Sequence, residues 1–598
     1  MKKTLTLLFF MVFWGYPLLN AQNNELEPWQ RAHYGSKEEM SLKPSFTREF
    51  PETDPPKGNI RQVAEFEPMQ GVMIDFPFGI PIKLIKDMST VVPLTIFAGN
   101  EDSIEMAKKE LNKENVDLSK CNFIVTGFMR MWTRDYSPWF IFDGNNKAGI
   151  INFRYNRPKR VNEDKIPVLM GEKLKIPVYG MKQAQTGGNY MCDGYGKAAQ
   201  TDLVWDENPI NPAYYVSATT NPAKLKGYYE IDQKVKEKAA EKMRQYLGVT
   251  DHIVLEDPQQ DYIKHIDCWA KFVDVDKIII AQVPESDNRY SKYEEVANYF
   301  KTHNSSYGKP YQVFRVFAPG TASNGYSTPY TNSLILNNHV FVPISDCKYD
   351  AAALEVYKKA MPGYTIHSYV PGKNPWLNTD ALHCRTHGIP DLEMLFIKHI
   401  PTEGAINLDK NEFKFKANVT AYSGKEIYQD SVLFYYQINS KDWKYKHMSL
   451  GSESAYECNL TLNDKDNVKY YIYAADKSGH RIKSPYVGKK DPNIFQFNLR
   501  TGLFEANNNE FGLKIVENPI RGNIKLQINS EENENANLSV YNIHGQKVIS
   551  KELHIIPGSQ NYSIDTRASL NEGLSNGTYF IHYKSGKHEV SKKIILIH

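Results

Sequence analysis

The sequence predicts an α/β domain followed by two smaller all-β domains. Between about Glu65 and Lys398, apolar strand runs alternate with helical stretches. Within that region a strand–turn–strand unit recurs in four segments, several separated by helical sequence. Beyond Pro401 the helical signal ends, and alternating polar and apolar runs continue between turn clusters. A chain of 598 residues is also too long for one ordinary domain.

The N-terminus reads "MKKTLTLLFFMVFWGYPLLNAQNN". Two Lys precede an apolar run from Leu5 to Leu19, then Asn20-Ala21-Gln22. This is the pattern of a secretory signal peptide over 1–21, cut after Ala21. The run is short for a membrane anchor, and no later segment is apolar enough to span a bilayer. Residues 22–60 are polar and Pro-spotted ("ETDPPKGN") and read as an extended leader.

Residues 61–398 form the predicted α/β domain. Its strands include "GVMIDFPF", "PLTIFAG", "CNFIVTGF", "KIIIAQV" and "HVFVPI". Its helices include "EDSIEMAKKELNKE", "IDQKVKEKAAEKMRQYLG", "YSKYEEVANYFKTH" and "DAAALEVYKKAMPG", with apolar spacing near the helical period. The repeated hairpins are "SPWFIFDGNNKAGIINFRY", "GNYMCDGYGKAAQTDLVW", "DCWAKFVDVDKIIIAQV" and "TNSLILNNHVFVPI". Their Asp-, Asn- and Gly-rich turns suit tight reversals. Repeated hairpin-plus-helix units suggest a ring or propeller of modules more than an open doubly wound sheet.

Residues 399–503 ("EFKFKANVTAYSG", "SVLFYYQIN", "NVKYYIYAADKSGHRIKSP") fit an immunoglobulin-like sandwich. Residues 508–598 form a second small β domain, with "SEENENAN" (530–537) as its expected exposed loop.

Charge is nearly balanced, 72 basic against 69 acidic residues for a net +3, with no long basic run. Nucleic acid is therefore not an expected partner. The six Cys (121, 192, 268, 347, 384 and 458) are scattered without a CxxC. Export permits disulfides, but a chain this long builds its core without them. Mostly buried free thiols are expected, with one bridge allowed for.

Polar residues crowd the entrances of the hairpins. "MWTRDYSPW" holds Trp132, Arg134 and Asp135; "DYIKHIDCW" holds His265 and Asp267; "PYTNSL" holds Asn332; "TDALHCRTHG" holds Cys384. Modules arranged about one axis would bring these positions into a common pocket. His265 and Asp267, two apart on a strand, would share a face and suit acid–base work beside a cation. A solvent-side pair on an amphipathic strand is the plainer reading. Cys384 could be a nucleophile, a metal ligand, half of a disulfide or a core residue. No second Cys/His cluster has ligand spacing relative to it, and no loop follows the EF-hand pattern, so no metal or cofactor is expected.

The motifs "MWTRDYSPWF", "TGGNYMCDGYG", "DYIKHIDCWAKF", "YTNSLILN" and "NPWLNTDALHCRTHG", in this order, resemble the agmatine deiminase and bacterial peptidylarginine deiminase family of the guanidine-modifying superfamily. The resemblance spans about residues 60–398 and implies a pseudo-fivefold α/β propeller. It implies Cys384 as nucleophile, His265 as acid–base, Asp135 and Asp267 as carboxylates on the guanidinium, and Asn332 as an orienting hydrogen-bonder. Trp132 would stack on the planar cation. In the peptidyl branch a "YNRP" segment supplies two Arg that hold a peptide's C-terminal carboxylate. Here "YNRPKR" offers Arg157 first, with Lys159 in the second place and Arg160 beside it. Lys lacks the bidentate fork. The expected reaction converts arginine of a peptide, by preference C-terminal, to citrulline and ammonia through a covalent Cys intermediate.

The final domain ("NPIRGNIKLQI", "LSVYNIHGQKV", "GTYFIHYKSGKHEVSKKIILI") resembles type IX secretion sorting domains. That implies the outer-membrane secretion machinery as a partner and a secreted or cell-surface location. Competing readings are the same chemistry on agmatine or free arginine, a non-catalytic surface binding protein, and a thiol protease. The last lacks any papain-like Cys neighbourhood.

Overall fold

The computed structural model describes residues 50–597, except 158, 209–232, 261–262, 323–326, 409, 452–454, 500–511, 567–573 and 587. The expected signal peptide and most of the leader lie outside the described residues. Among those described, no helix is long and apolar enough to cross a membrane.

The four hairpins form as antiparallel pairs: Trp139–Phe142 with Ala148–Tyr155, Met191–Cys192 with Lys197–Thr201, Ala270–Asp274 with Lys277–Gln282, and Leu334–Leu336 with His339–Pro343. Each hairpin is followed by a helix and then a third strand, parallel to the second: Val178–Gln185, Asp251–Leu255, Gln312–Phe317 and Thr365–Tyr369 respectively. A parallel partner needs a crossover, and the helices Ile166–Leu174, Gln233–Leu247, Tyr290–Thr302 and Asp350–Ala360 supply it. A fifth sheet is assembled from both ends of this region. His387–Pro390 pairs antiparallel with Met69–Asp75, which runs parallel to Leu94–Ala98 and then Cys121–Val125. The repeat is therefore complete only when the chain returns to its start.

Each helix lays an apolar stripe on its sheet. In Glu101–Lys113 the buried side chains include Ile104, Ala107 and Leu111, one helical face. Asn100 caps it, its side chain accepting from the Ser103 amide at 2.8 Å.

Leu395–Lys398 is already a strand of the next unit, pairing with Glu412–Ala421. Two sheets there share one core around Phe415, Phe434, Tyr470 and Phe495. The C-terminal unit likewise has two sheets around one core, including Ile528, Val540 and Ile581. The loop expected at 530–537 is shorter, because Glu534–Asn542 is a strand paired on both sides. All six Cys are free; Cys192, Cys268 and Cys384 are buried and the other three half-buried.

Candidate active site

Each hairpin is entered through a short turn, and these turns meet. Thr133–Tyr136 is one helical turn ahead of the first hairpin; Gly187–Asn189 and Ile266–Cys268 are 3-10 turns ahead of the second and third. Asn332 stands two residues before Leu334, and Cys384 three before His387. The strand placement expected for His265 and Asp267 is therefore wrong. Asp267 lies within a 3-10 turn and His265 caps it, so the side chains address different partners. His265 Nδ1 is 3.6 Å from Asp135 Oδ1, whereas Asp267 Oδ2 faces Cys384 and His383.

The turn bearing Cys384 is held by a buried ion pair. Arg385 Nε and Nη2 donate to both Asp380 oxygens, at 3.0 and 2.8 Å, and Nη1 donates to the Gly79 carbonyl at 2.7 Å. The fork fixes the loop at two points. Cys384 Sγ then lies 3.2 Å from Asn332 Nδ2 and 3.6 Å from Asp267 Oδ2. Asn332 Oδ1 accepts from the amides of His383 and Cys384, so one amide group orients both backbone and sulfur. Trp132 and Met131 pack against the thiol. Cys384, Asp135, His265, Asp267, Asn332 and Trp132 are all buried.

Burial pushes the Cys384 thiol up to about 11; Asp267, Asp380 and Asp135 add to this, while a hydrogen bond from the Cys268 thiol opposes it. The enclosed carboxylates thus disfavour a thiolate until a cation joins them. Iodoacetamide labelling of Cys384, corrected with Cys384→Ala, is expected to keep accelerating up to about pH 9. A plateau near neutrality would mean a preformed thiolate.

Sequence reasoning missed the residues that hold Asp267 in place. His383 bridges two carboxylates, its Nδ1 2.6 Å from Asp267 Oδ2 and its Nε2 2.6 Å from Glu65 Oε2. Glu65 also meets Arg134 Nη2 at 2.8 Å and Lys271 Nζ at 2.7 Å, and accepts from the Ile335 amide at 3.0 Å. Burial alone would raise the Glu65 carboxyl, but His383, Lys271 and Arg134 outweigh it and hold it well below the usual range. The available signals were the paired acids of "AEFEP" and a His directly before the Cys. Glu65, Arg134, Lys271, His383 and Asp267 also border a cavity of about 90 Å³.

Two glycines were legible in "TGGNY" but were given no role. A Cβ on Gly187 would sit 2.0 Å from the Arg134 carbonyl oxygen; one on Gly188 would sit 2.4 Å from His265 Nδ1 and 2.9 Å from Asp135 Oδ1. Gly188→Ala is expected to displace His265 and lower kcat/KM by about 100-fold, with a folded protein by circular dichroism. Unchanged kcat/KM would show that His265 tolerates the shift.

Of the residues expected at the substrate's far end, Arg157 is buried and donates through Nη1 to Asn156 Oδ1 at 2.8 Å, while Lys159 is exposed. Arg160 is buried instead. Burial raises the Tyr155 phenol; Asp135 adds to this while Arg160 and Arg157 oppose it, so this segment lies within electrostatic reach of Asp135.

Comparison with known proteins agrees in region. The family model described as Porphyromonas-type peptidyl-arginine deiminase matches residues 61–390, and that of the secretion system C-terminal sorting domain matches 514–597. The sorting domain indicates export, to the cell surface or beyond. A Vibrio parahaemolyticus protein carrying a provisional agmatine deiminase name is 26% identical over 295 residues, 44% of this chain and 76% of that protein. The agmatine deiminase of Pseudomonas putida is 20% identical over 341 residues, 52% and 86% of the respective chains. Among solved structures, the agmatine deiminase of Enterococcus faecalis aligns with a TM-score of 0.45 at 16% identity, covering 56% of this chain and 96% of that one. With an α/β region carrying the guanidino-deiminase pattern and a model match over more than half its length, the chain belongs to the Porphyromonas-type peptidyl-arginine deiminase family.

Proposed function

We propose that this protein is an exported peptidylarginine deiminase that converts arginine of peptides, with preference for a C-terminal arginine, to citrulline and ammonia. The observation that carries the reading is the buried Cys384 sulfur beside Asp267, oriented by Asn332, with Asp135, itself 3.6 Å from His265 Nδ1, within its electrostatic reach. Five sheets, the fifth joining His387–Pro390 to Met69–Asp75 from the two ends of the region, support a pseudo-fivefold ring. In this reading the ring runs from 61 to the strand at Leu395, an immunoglobulin-like sandwich follows to about 503, and the sorting domain occupies 508–598.

The guanidinium is a flat, delocalised cation whose carbon is a poor electrophile. Asp135 and Asp267 accept its N–H donors and fix its plane, and Trp132 covers a face. The arriving cation offsets the carboxylates that hold the Cys384 proton, so attack begins only with substrate bound. The sulfur bonds to the guanidine carbon; His265 takes the thiol proton and delivers it to the departing nitrogen as the C–N bond breaks. Ammonia leaves, and His265 then deprotonates water, whose oxygen adds to the same carbon. The C–S bond breaks, the thiol is restored and the urea of citrulline remains. Glu65 and His383 act as positioning residues, holding Asp267 at its angle.

Peptide rather than agmatine is favoured by export and by the buried Arg157 and Arg160 beside Tyr155, which suit a carboxylate of the substrate backbone. Arg160 replaces the exposed Lys159 as second cation in this reading. Turnover is to be compared on a peptide ending in Arg, its C-terminal amide, and agmatine. Preference for the free acid supports the clamp; equal rates on acid and amide remove it; preference for agmatine assigns the small-guanidine activity carried in the relatives' names.

A further inference from the structure

One face of the first β domain gathers aromatic side chains across three neighbouring strands. Strands Leu433–Ile438, Lys444–His447 and Asn467–Ala475 lie side by side, the central one pairing with both others. Their inward side chains, Phe434, Tyr470 and Ile472, are fully buried and belong to the domain core. Alternation along a strand sends the next residues outward, and here those residues are aromatic. Tyr435 stands opposite Tyr471 on one neighbour and Tyr445 on the other. Tyr435 and Tyr471 stack with centroids 4.8 Å apart and planes 7° from parallel. Tyr445 joins at 5.7 Å and Trp443 reaches Tyr471 at 5.3 Å. Tyr473 meets Tyr435 edge-on at 6.4 Å. Tyr445 is 56% exposed and Tyr435, Trp443 and Tyr473 are half-buried, with Tyr471 buried among them, so the cluster presents a partly open aromatic face.

Cations frame the platform. Lys469 lies outward on the same strand as Tyr471, and Lys483 stands opposite Tyr473 on strand Arg481–Ser484. Arg481 is opposite Ala475, and Lys489 Nζ lies 5.8 Å from the Trp443 ring. No outward position of these strands or of Asn493–Leu499 is Asp or Glu. A whole-chain net charge of only +3 makes this a local concentration.

We propose that this face binds an acidic polysaccharide, holding the exported enzyme against a carboxylate-bearing glycan. Sugar rings offer flat C–H faces that rest on Tyr and Trp, and Tyr supplies a hydroxyl for their polar edge. The surrounding lysines match uronate carboxylates at the sides of such a chain, which a neutral glycan would leave unused. Lysine point charges on an open sheet, without the basic groove that tracks a phosphate backbone, fit nucleic acid less well. Export puts the face where extracellular glycans are met.

The test is affinity electrophoresis and calorimetry of the full chain with polygalacturonate, dextran and oligothymidylate. Retardation by polygalacturonate alone is expected. Lys469→Glu with Lys483→Glu, and separately Tyr445→Ser, are each expected to weaken binding by at least about tenfold. Deiminase turnover on an arginyl peptide should be unchanged in both. Tyr445 lies off the core, so its loss leaves folding intact and keeps the test readable. Equal binding to dextran, tighter binding to oligothymidylate, or full binding by the variants overturns the proposal, whatever the fate of the deiminase assignment.

Discussion

Cys384→Ala is expected to abolish ammonia release from arginyl peptides, by at least about four orders of magnitude, as with other enzymes that lose their nucleophile. No other thiol can stand in. Cys268, the closest, donates to Cys384, and that bond with burial raises it well above its ordinary value. The protein itself should survive. The lost sulfur leaves Trp132 and Met131 with a small void, and the Asp380–Arg385 fork that shapes the loop remains. The stability change is expected to be about 1 kcal/mol. The measurement is ammonia release beside a denaturant midpoint. Residual turnover above about one per cent of wild type in a folded variant would remove Cys384 as nucleophile.

Glu65→Ala is expected to have the largest effect on stability. It strips the shared anion from Arg134, Lys271 and His383, all buried. Breaking a buried ion pair by removing one partner costs about 3–5 kcal/mol, because the charges left behind cannot be resolvated. Asp267 should also drift as His383 loses its second carboxylate, so kcat should fall in whatever folds. Glu65→Gln keeps the shape and one acceptor and should cost less. The sign with pH is fixed by the depressed Glu65 value. Its contribution is complete above the ordinary 4.5 and is lost as pH falls below that toward the folded-state value. The melting-temperature gap between wild type and Glu65→Gln should therefore narrow below pH 4.5; a gap that widens on acidification would contradict the network.

Much of the arrangement was legible because it is local. Hairpins announce themselves through turn residues between apolar runs, and the helices through spacing, so four of the five repeating units stood out. The fifth did not, because its strands come from Met69–Asp75 and His387–Pro390, more than three hundred residues apart in sequence. The third, parallel strands were also hard to see. "DHIVL" and "TIHSY" are short and mixed, and only a neighbouring strand makes them strands.

The same division holds for the site. The resemblance of the motifs and their order to the guanidine-modifying family implied one site holding a thiol, an imidazole, two carboxylates and an amide, whereas the spacing alone left their roles open. What the sequence could not determine is which groups touch. The two-residue spacing of His265 and Asp267 suggested a shared face, yet a single 3-10 turn separates them. Glu65 and His383, given no role from the sequence, became partners because the fold brings the segment before Met69–Asp75 against the Cys384 loop. Sequence sets local backbone preference and the inventory of chemistry. Contact between distant segments exists only after the sheets have packed and excluded water, and with it come the burial that raises the Cys384 thiol and the cations that hold Glu65 low.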